Sequence, residues 1–287
     1  MKPSQSPDFV VVGHVCQDIL PEGGLALGGS VSYAATTAQR LGRRVGVVTS
    51  AGPGLDVSAA LPGMEVVCHQ AASTTIFENI YLETGRKQIL HSRAAVITCE
   101  HIPLAWRDAP VVYLGSIDRE ISPGVFHCFS DKSLVGIMPQ GFFRRWDEHG
   151  QVHYAEWTPS PALLEQLDVL VISELDVPDP NRLVRDWGRY IRIIVVTQAD
   201  QGATVYKSDE VCHYPARPAQ EVEPTGAGDV FTAAFLIRLA ETGDPCQAAQ
   251  FANVVASFSV EGIGMAAIPH RQRVDDFLRT APAVLST

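Results

Sequence analysis

Short apolar runs alternate along this chain with segments whose apolar residues recur every three or four positions. Asp8 to Val15 is rich in valine and predicts a buried strand ending at Gly13-His14. Cys16 to Leu27 carries Asp18, Pro21, Gly23 and Gly24 and reads as irregular. Gly28-Gly29-Ser30 opens a helix predicted from about Val31 to Leu41, where the small Ala34, Ala35 and Ala38 permit close packing and Gly42 ends the run. Val45-Gly46-Val47-Val48 is a second core strand. Strand, helix, strand is the beginning of a parallel α/β sheet.

Thr74 to Arg93 departs from that rhythm. Thr75-Ile76-Phe77 to Tyr81-Leu82 and Lys87-Gln88-Ile89-Leu90 flank Glu83-Thr84-Gly85-Arg86, which is a hairpin pattern. Inserted into a βα series, it predicts a flap or lid outside the main sheet. Strand patterns resume at Pro110 to Gly115 and Ser133 to Met138, with a helix at Pro123 to Phe129 between them. Asp168 to Ser173 and Ile191 to Thr197 read as strands around a helix from about Pro180 to Tyr190. Ala203 to Tyr206 and Val211 to Tyr214 form a short pair. Further helices follow Asp229, run from Pro245 to Val260, and run from Arg273 to Arg279. No repeat, low-complexity tract or long linker interrupts the pattern, so one α/β domain with a small β appendage is expected.

The stretch with most chemical content is Glu223-Pro224-Thr225-Gly226-Ala227-Gly228-Asp229-Val230-Phe231. Thr225 is a candidate N-cap, and Phe231, Ala234 and Phe235 share one helical face. Gly243 and Pro245 close that helix. Two glycines and a carboxylate therefore fall at its first turn. Unpaired N–H groups and the positive dipole end favour an anion there, and glycines let a phosphate come close. Asp229 is placed to take a proton from an attacking hydroxyl, and an anion cradle plus a base is a pattern for phosphoryl transfer. Taken alone, the same stretch also fits a glycine-rich helix start with Asp229 as a dipole-matched surface acid.

Composition narrows the partners. At 287 residues, 46% apolar and 19% charged, the chain has the make-up of a soluble globular protein with a full core. A formal net charge of −10, without any run of Lys or Arg, argues against duplex nucleic acid or an anionic membrane as the main partner. Cys16, Cys68, Cys99, Cys128, Cys212 and Cys246 are scattered, with no C-x-x-C pair, and read as reduced, mostly buried thiols of a cytosolic protein. The apolar run Phe9 to Gly13 is too short for a signal peptide or a membrane span, and a cytoplasmic location is expected.

Several familiar patterns fail. No Gly-Lys-Ser/Thr triplet is present for a P-loop. Gly262-Ile263-Gly264-Met265-Ala266-Ala267 has dinucleotide spacing but follows a helix and runs into Pro269, so the strand–turn–helix context is missing. Gly28-Gly29-Ser30-Val31-Ser32 lacks the last glycine of a nucleophile elbow. His149 and His153 are four apart, but Gly150 lies between them, and solvated loop histidines are expected.

The ordered set Gly13…Asp18, Gly28-Gly29, Thr197-Gln198-Ala199-Asp200-Gln201-Gly202, Thr225-Gly226-Ala227-Gly228-Asp229 and Asn253 resembles the ribokinase-like (PfkB-type) carbohydrate kinases over nearly the whole chain. The resemblance implies a three-layer α/β/α sandwich with a mostly parallel central sheet, spanning 1–287, with lid elements at about 16–28 and 74–93. It implies Asp229 as the base and the N–H groups of Gly226, Ala227 and Gly228 as an anion hole. Asp18, Gly28, Gly29 and Tyr33 would bind the acceptor. Thr197, Gly202, Thr225 and Asn253 would line the nucleotide pocket. ATP and Mg²⁺ are the implied cofactors. Asp176 would lie near the metal, and Glu223 near a monovalent cation (K⁺) site. A homodimer is also known among such proteins.

Departures concern the substrate. Ribokinase-type members carry Asn where this chain has Cys16, Lys where it has Ser30, and Asn where it has Tyr33. A pocket built for particular hydroxyls rejects analogues strongly, so ribose itself is disfavoured. Leu25 to Gly42 and Pro139-Gln140-Gly141-Phe142 look closer to the inositol-kinase-like and archaeal sugar-kinase branches. Ser173 and Asp176 replace the family's Asn-x-x-Glu. The expected activity is ATP-dependent phosphorylation of a sugar or polyol hydroxyl. A nucleoside kinase is the alternative, with Tyr33 and Phe77 available to stack a base. A ligand-binding protein that has lost turnover is the alternative of another class.

Overall fold

The computed structural model describes residues 6–82, 85–208 and 210–280. Its strands begin with β1 (Phe9–Val12), β2 (Cys16–Ile19), β3 (Leu25–Gly28), β4 (Val45–Ala51) and β5 (Glu65–Gln70). Next come β6 (Thr75–Leu82), β7 (Gly85–Ser92), β8 (Val111–Gly115), β9 (Leu134–Met138), β10 (Arg144–Trp146) and β11 (Val152–Tyr154). The last are β12 (Val169–Ser173), β13 (Ile193–Thr197), β14 (Ala203–Lys207) and β15 (Glu210–Tyr214). The helices are α1 (Ser30–Arg40), α2 (Val57–Ala60), α3 (Pro161–Leu164), α4 (Pro180–Trp187), α5 (Ala227–Thr242), α6 (Pro245–Ser259) and α7 (Arg271–Thr280).

Nine strands form one sheet in the order β15-β14-β13-β12-β9-β8-β1-β4-β5. It is parallel from β13 through β5, and β14 and β15 add antiparallel at one edge. Both faces are covered, which the near-continuous apolar strands require. Along β1, Phe9 and Val11 enter the core beneath α1, α5 and α6, whereas Val10 and Val12 enter the core on the opposite face. Burying each such large side chain contributes about 1.5–3 kcal/mol. This is the α/β ribokinase-like fold.

A second, four-stranded sheet has the order β3-β2-β6-β7. It includes the expected hairpin of β6 and β7, whose predicted turn at Glu83-Thr84 lies outside the described residues. The reading of Cys16 to Leu27 as irregular is corrected here. Cys16–Ile19 pairs with Leu25–Gly28 and, in parallel, with β6. The mixed residues hid these strands because the small sheet gives them pairing partners without full burial. Strands β5, β10 and β11 were likewise not foreseen from the pattern, and Pro123–His127 is a 3₁₀ turn rather than a longer helix.

The cysteines need one correction. Cys99 and Cys128, each on a 3₁₀ turn or its end, are joined in a disulfide with Cα atoms 5.8 Å apart. Cys16, Cys68, Cys212 and Cys246 are free. The pair was not legible because the sequence separation of 29 is closed only by the tertiary fold. Among the described residues, no helix is long and apolar enough to cross a membrane.

Candidate active site

The first turn of α5 begins at Gly226, whose φ of 78° is left-handed. The expectation that Thr225 caps this helix is therefore corrected. A β-branched residue avoids positive φ, so the chain places glycine at the cap, with no side-chain capping bond. A Cβ at Gly226 would also stand 2.3 Å from Cδ1 of Tyr33 on α1. At Gly228 it would stand 2.6 Å from Cε of Met138. The backbone is thus bare where the cleft meets the helix end.

Asp229 sits in that first turn, 9% exposed, and opens onto a cleft of about 1310 Å³. Its Oδ1 accepts the hydroxyl of Tyr113 at 2.6 Å. Burial pushes its pKa up to about 6, against the lowering effects of the Tyr113 and Ser30 hydrogen bonds and the Arg144 charge. The N–H of Ala227 donates to Pro224 O at 3.1 Å, closing the turn before the helix.

The same cleft is lined by Asp18, Gly29 and Tyr33. Gly29 has φ 90°, and a Cβ there would meet His14 O at 2.8 Å and Cys16 N at 2.9 Å. Gly28 lies behind the lining, where a Cβ would meet Oδ2 of Asp18 at 2.0 Å. The glycine pair therefore lets β2 and β3 close tightly around the Asp18 carboxylate. Asp18 Oδ1 accepts from Asn79 Nδ2 at 3.2 Å. Burial raises the Tyr33 hydroxyl pKa, with the Glu223 and Asp18 charges adding to it.

Thr197, Gly202, Thr225 and Asn253 also line the cleft. Thr197 Oγ1 donates to Ile172 O at 3.3 Å. The Asn253 amide donates to Tyr214 O at 2.8 Å and Pro215 O at 3.2 Å, so it also fixes the chain after β15. Beside them Arg217 is held to Ser257 O and Glu261, with its guanidinium 4.1 Å from the Phe258 ring centroid. Asp176, in the same lining, accepts from Ser173 N at 2.8 Å and Gln140 Nε2 at 3.2 Å. Burial raises its pKa. Glu223 points elsewhere: its Oε2 accepts the N–H of Gly264 at 2.7 Å.

Four members of this site did not stand out in the sequence. Arg144 enters the cleft with Nη1 on Ile117 O at 2.9 Å and Nη2 on Gln140 Oε1 at 2.6 Å. Its one signal was its place two residues after the noted Pro139 to Phe142 segment. Tyr113 was hidden inside an ordinary core strand. Asn79 and Gln88 were hidden in the hairpin, where only β6–β7 register shows that they face each other.

The pfkB family carbohydrate kinase family matches residues 184–271. A cytidine kinase of Thermococcus kodakarensis is 28% identical over 255 residues, covering 80% of this chain and 87% of its own. A pyrophosphate-dependent ribokinase-family kinase, solved with a pyrophosphate analogue and myo-inositol, is 25% identical. Its TM-score is 0.79 over 93% of this chain and 99% of that one. The Arabidopsis thaliana ribokinase solved with ribose and ATP shares the fold at a TM-score of 0.76 and 20% identity, over 96% of this chain and 100% of that one. With the glycine-bounded helix start, the buried aspartate and the lid sheet found together, the chain is similar to the PfkB/ribokinase family of carbohydrate kinases and shares its fold.

Proposed function

We propose that this protein transfers the γ-phosphoryl group of ATP to a hydroxyl of a sugar or polyol. The carrying observation is that Asp229, at a glycine-bounded helix N-terminus, and Asp18, on the lid sheet, open onto one cleft. Asp229 takes the acceptor proton as the hydroxyl oxygen bonds to phosphorus. The N–H groups of Gly226 and Gly228 hold the developing charge, and that of Ala227 joins them by releasing Pro224 O. Asp18 and the Gly29 backbone orient the acceptor. The lid of β2, β3, β6 and β7 closes over it and excludes water.

Thr197, Gly202, Thr225 and Asn253 line the nucleotide end. Asp176 fits a role beside Mg²⁺, because a desolvated carboxylate oriented by two donors gains from a nearby cation. Mg²⁺, bound with the nucleotide, supplies neutralisation of phosphate charge. The Glu223 carboxylate anchors the Gly264 loop, and its remaining oxygen is the one available to K⁺.

A second reading has its own support. The cytidine kinase similarity covers most of both chains, and Phe77 and Tyr33 present rings to the cleft. A nucleoside acceptor would then stack there. The test is ADP release from Mg·ATP, and phosphate release from pyrophosphate, against inositols, pentoses, hexoses and nucleosides. Turnover on a polyol or sugar supports the first reading, and turnover on cytidine the second. ATP binding with no turnover on any acceptor would establish a binding protein instead.

A further inference from the structure

Tyr113 is fully buried in β8, 116 residues before Asp229, yet its hydroxyl donates to Asp229 Oδ1 at 2.6 Å. The strand is shaped to allow this. Gly115 lies two residues on, on the same face of β8. A Cβ at Gly115 would stand 2.7 Å from Cε1 of Tyr113 and 2.9 Å from Cβ of Ser30. The phenol ring therefore runs through a slot that glycine leaves open. Burial, followed by the Asp229 charge, pushes the Tyr113 hydroxyl pKa well above its ordinary value. It remains a proton donor throughout the working range of an enzyme.

We propose that Tyr113 is a positioning residue for phosphoryl transfer: its O–H pins Oδ1 of Asp229 and turns Oδ2 toward the acceptor hydroxyl. This rests on Asp229 being the base. In the step, the acceptor proton passes to Oδ2 and the acceptor oxygen bonds to the γ-phosphorus. The bond to the bridging oxygen breaks, and ADP leaves with the electron pair. A carboxylate free to rotate presents its oxygens in many orientations. One held by a short, charge-assisted bond keeps a single near-attack geometry. The other groups facing Asp229 are Ser30 and Tyr33 from α1, Arg144 from β10, and Asp176 beyond β12. Tyr113 reaches it from β8, a strand of the main sheet.

The test substitutes Tyr113→Phe, which keeps the ring and its packing. ADP release from Mg·ATP is followed from pH 5 to 9 with cytidine and myo-inositol as probes. In parallel, ¹³C-carboxyl NMR of aspartate-labelled protein follows the signal that Asp229→Asn removes, which needs no acceptor. Losing a donor to the ionised form raises that midpoint by about one unit and moves the acidic limb of kcat/KM with it. A roughly tenfold fall in kcat with unchanged KM for ATP is expected from loss of orientation. Site-specific 3-fluorotyrosine at 113, a stronger donor of nearly the same shape, moves the midpoint down and covers the case in which Tyr113→Phe fails to fold. A midpoint unmoved by either change overturns the proposal. Near-normal turnover in Asp229→Asn overturns instead the reading of Asp229 as base.

Discussion

Asn79, on a lid strand, donates its amide to Oδ1 of Asp18 at 3.2 Å and accepts from Gln88, on the next lid strand, at 2.9 Å. Three lid strands thus converge on the carboxylate proposed to bind the acceptor. Asn79→Ala removes a hydrogen bond to a charged group, a contact worth about 1.5–3 kcal/mol. Part of that is recovered by water, so the acceptor KM is expected to rise roughly tenfold while the KM for ATP stays level. Steady-state kinetics with each substrate varied in turn checks this. Equal rises in both constants would contradict an acceptor-side role.

With Asp229 as the proposed base, its pKa of about 6 is expected to set the acidic limb of the rate profile. A base acts only when ionised, so kcat/KM should fall as pH drops through 6 and be level above it until another group intervenes. A profile flat down to pH 4.5 would exclude Asp229 as the titrating base.

Gly226→Ala places a Cβ in a left-handed backbone and against the Tyr33 ring. Strain of that kind costs about 1–3 kcal/mol, and relief requires the helix start to move. A melting temperature lower by a few degrees is expected from that cost. Turnover should fall by more than about 100-fold, because donors aimed at developing charge lose their aim. Differential scanning calorimetry and ADP release measure the two effects separately.

At the base of the lid, His14 Nδ1 lies 3.3 Å from Asp118 Oδ1, and Arg93 Nε lies 3.2 Å from Asp118 Oδ2. Burial lowers the His14 pKa, but the Asp118 hydrogen bond and the Glu120 and Asp118 charges outweigh it, so the net shift is upward. A raised histidine pKa contributes stability that is complete below its unfolded value of about 6.5 and is lost as pH rises through the folded value. The melting-temperature difference between the wild type and His14→Gln should therefore be largest near pH 6 and shrink toward pH 9. A difference independent of pH would contradict a charged His14.

The main sheet was readable because its strands are buried on both faces: Phe9 to Val12 and Val169 to Ile172 leave no polar side open. The glycine-bounded helix start proposed to hold the phosphoryl group was readable for a related reason. Gly226 is dictated by its left-handed backbone and Gly228 packs against the Met138 side chain, and such constraints are written into residue type. The lid sheet was half hidden, since Cys16 to Ile19 mixes polar and apolar residues that only pairing with β3 and β6 explains. Tyr113 was hidden entirely, and Arg144 had only its nearness to the Pro139 to Phe142 segment. Each reaches the site across a distance in sequence that no local pattern reports, as does the disulfide between Cys99 and Cys128.

The most direct measurement compares ADP formation by the wild type and Asp229→Asn across the acceptor panel at pH 7.5, with ATP binding followed by calorimetry. Removing a general base should lower kcat by about 10²–10⁴. Asp229→Asn is expected to bind ATP as the wild type does and to lose turnover by that factor on whichever acceptor the wild type uses. Wild-type turnover retained in Asp229→Asn would contradict phosphoryl transfer by this helix end.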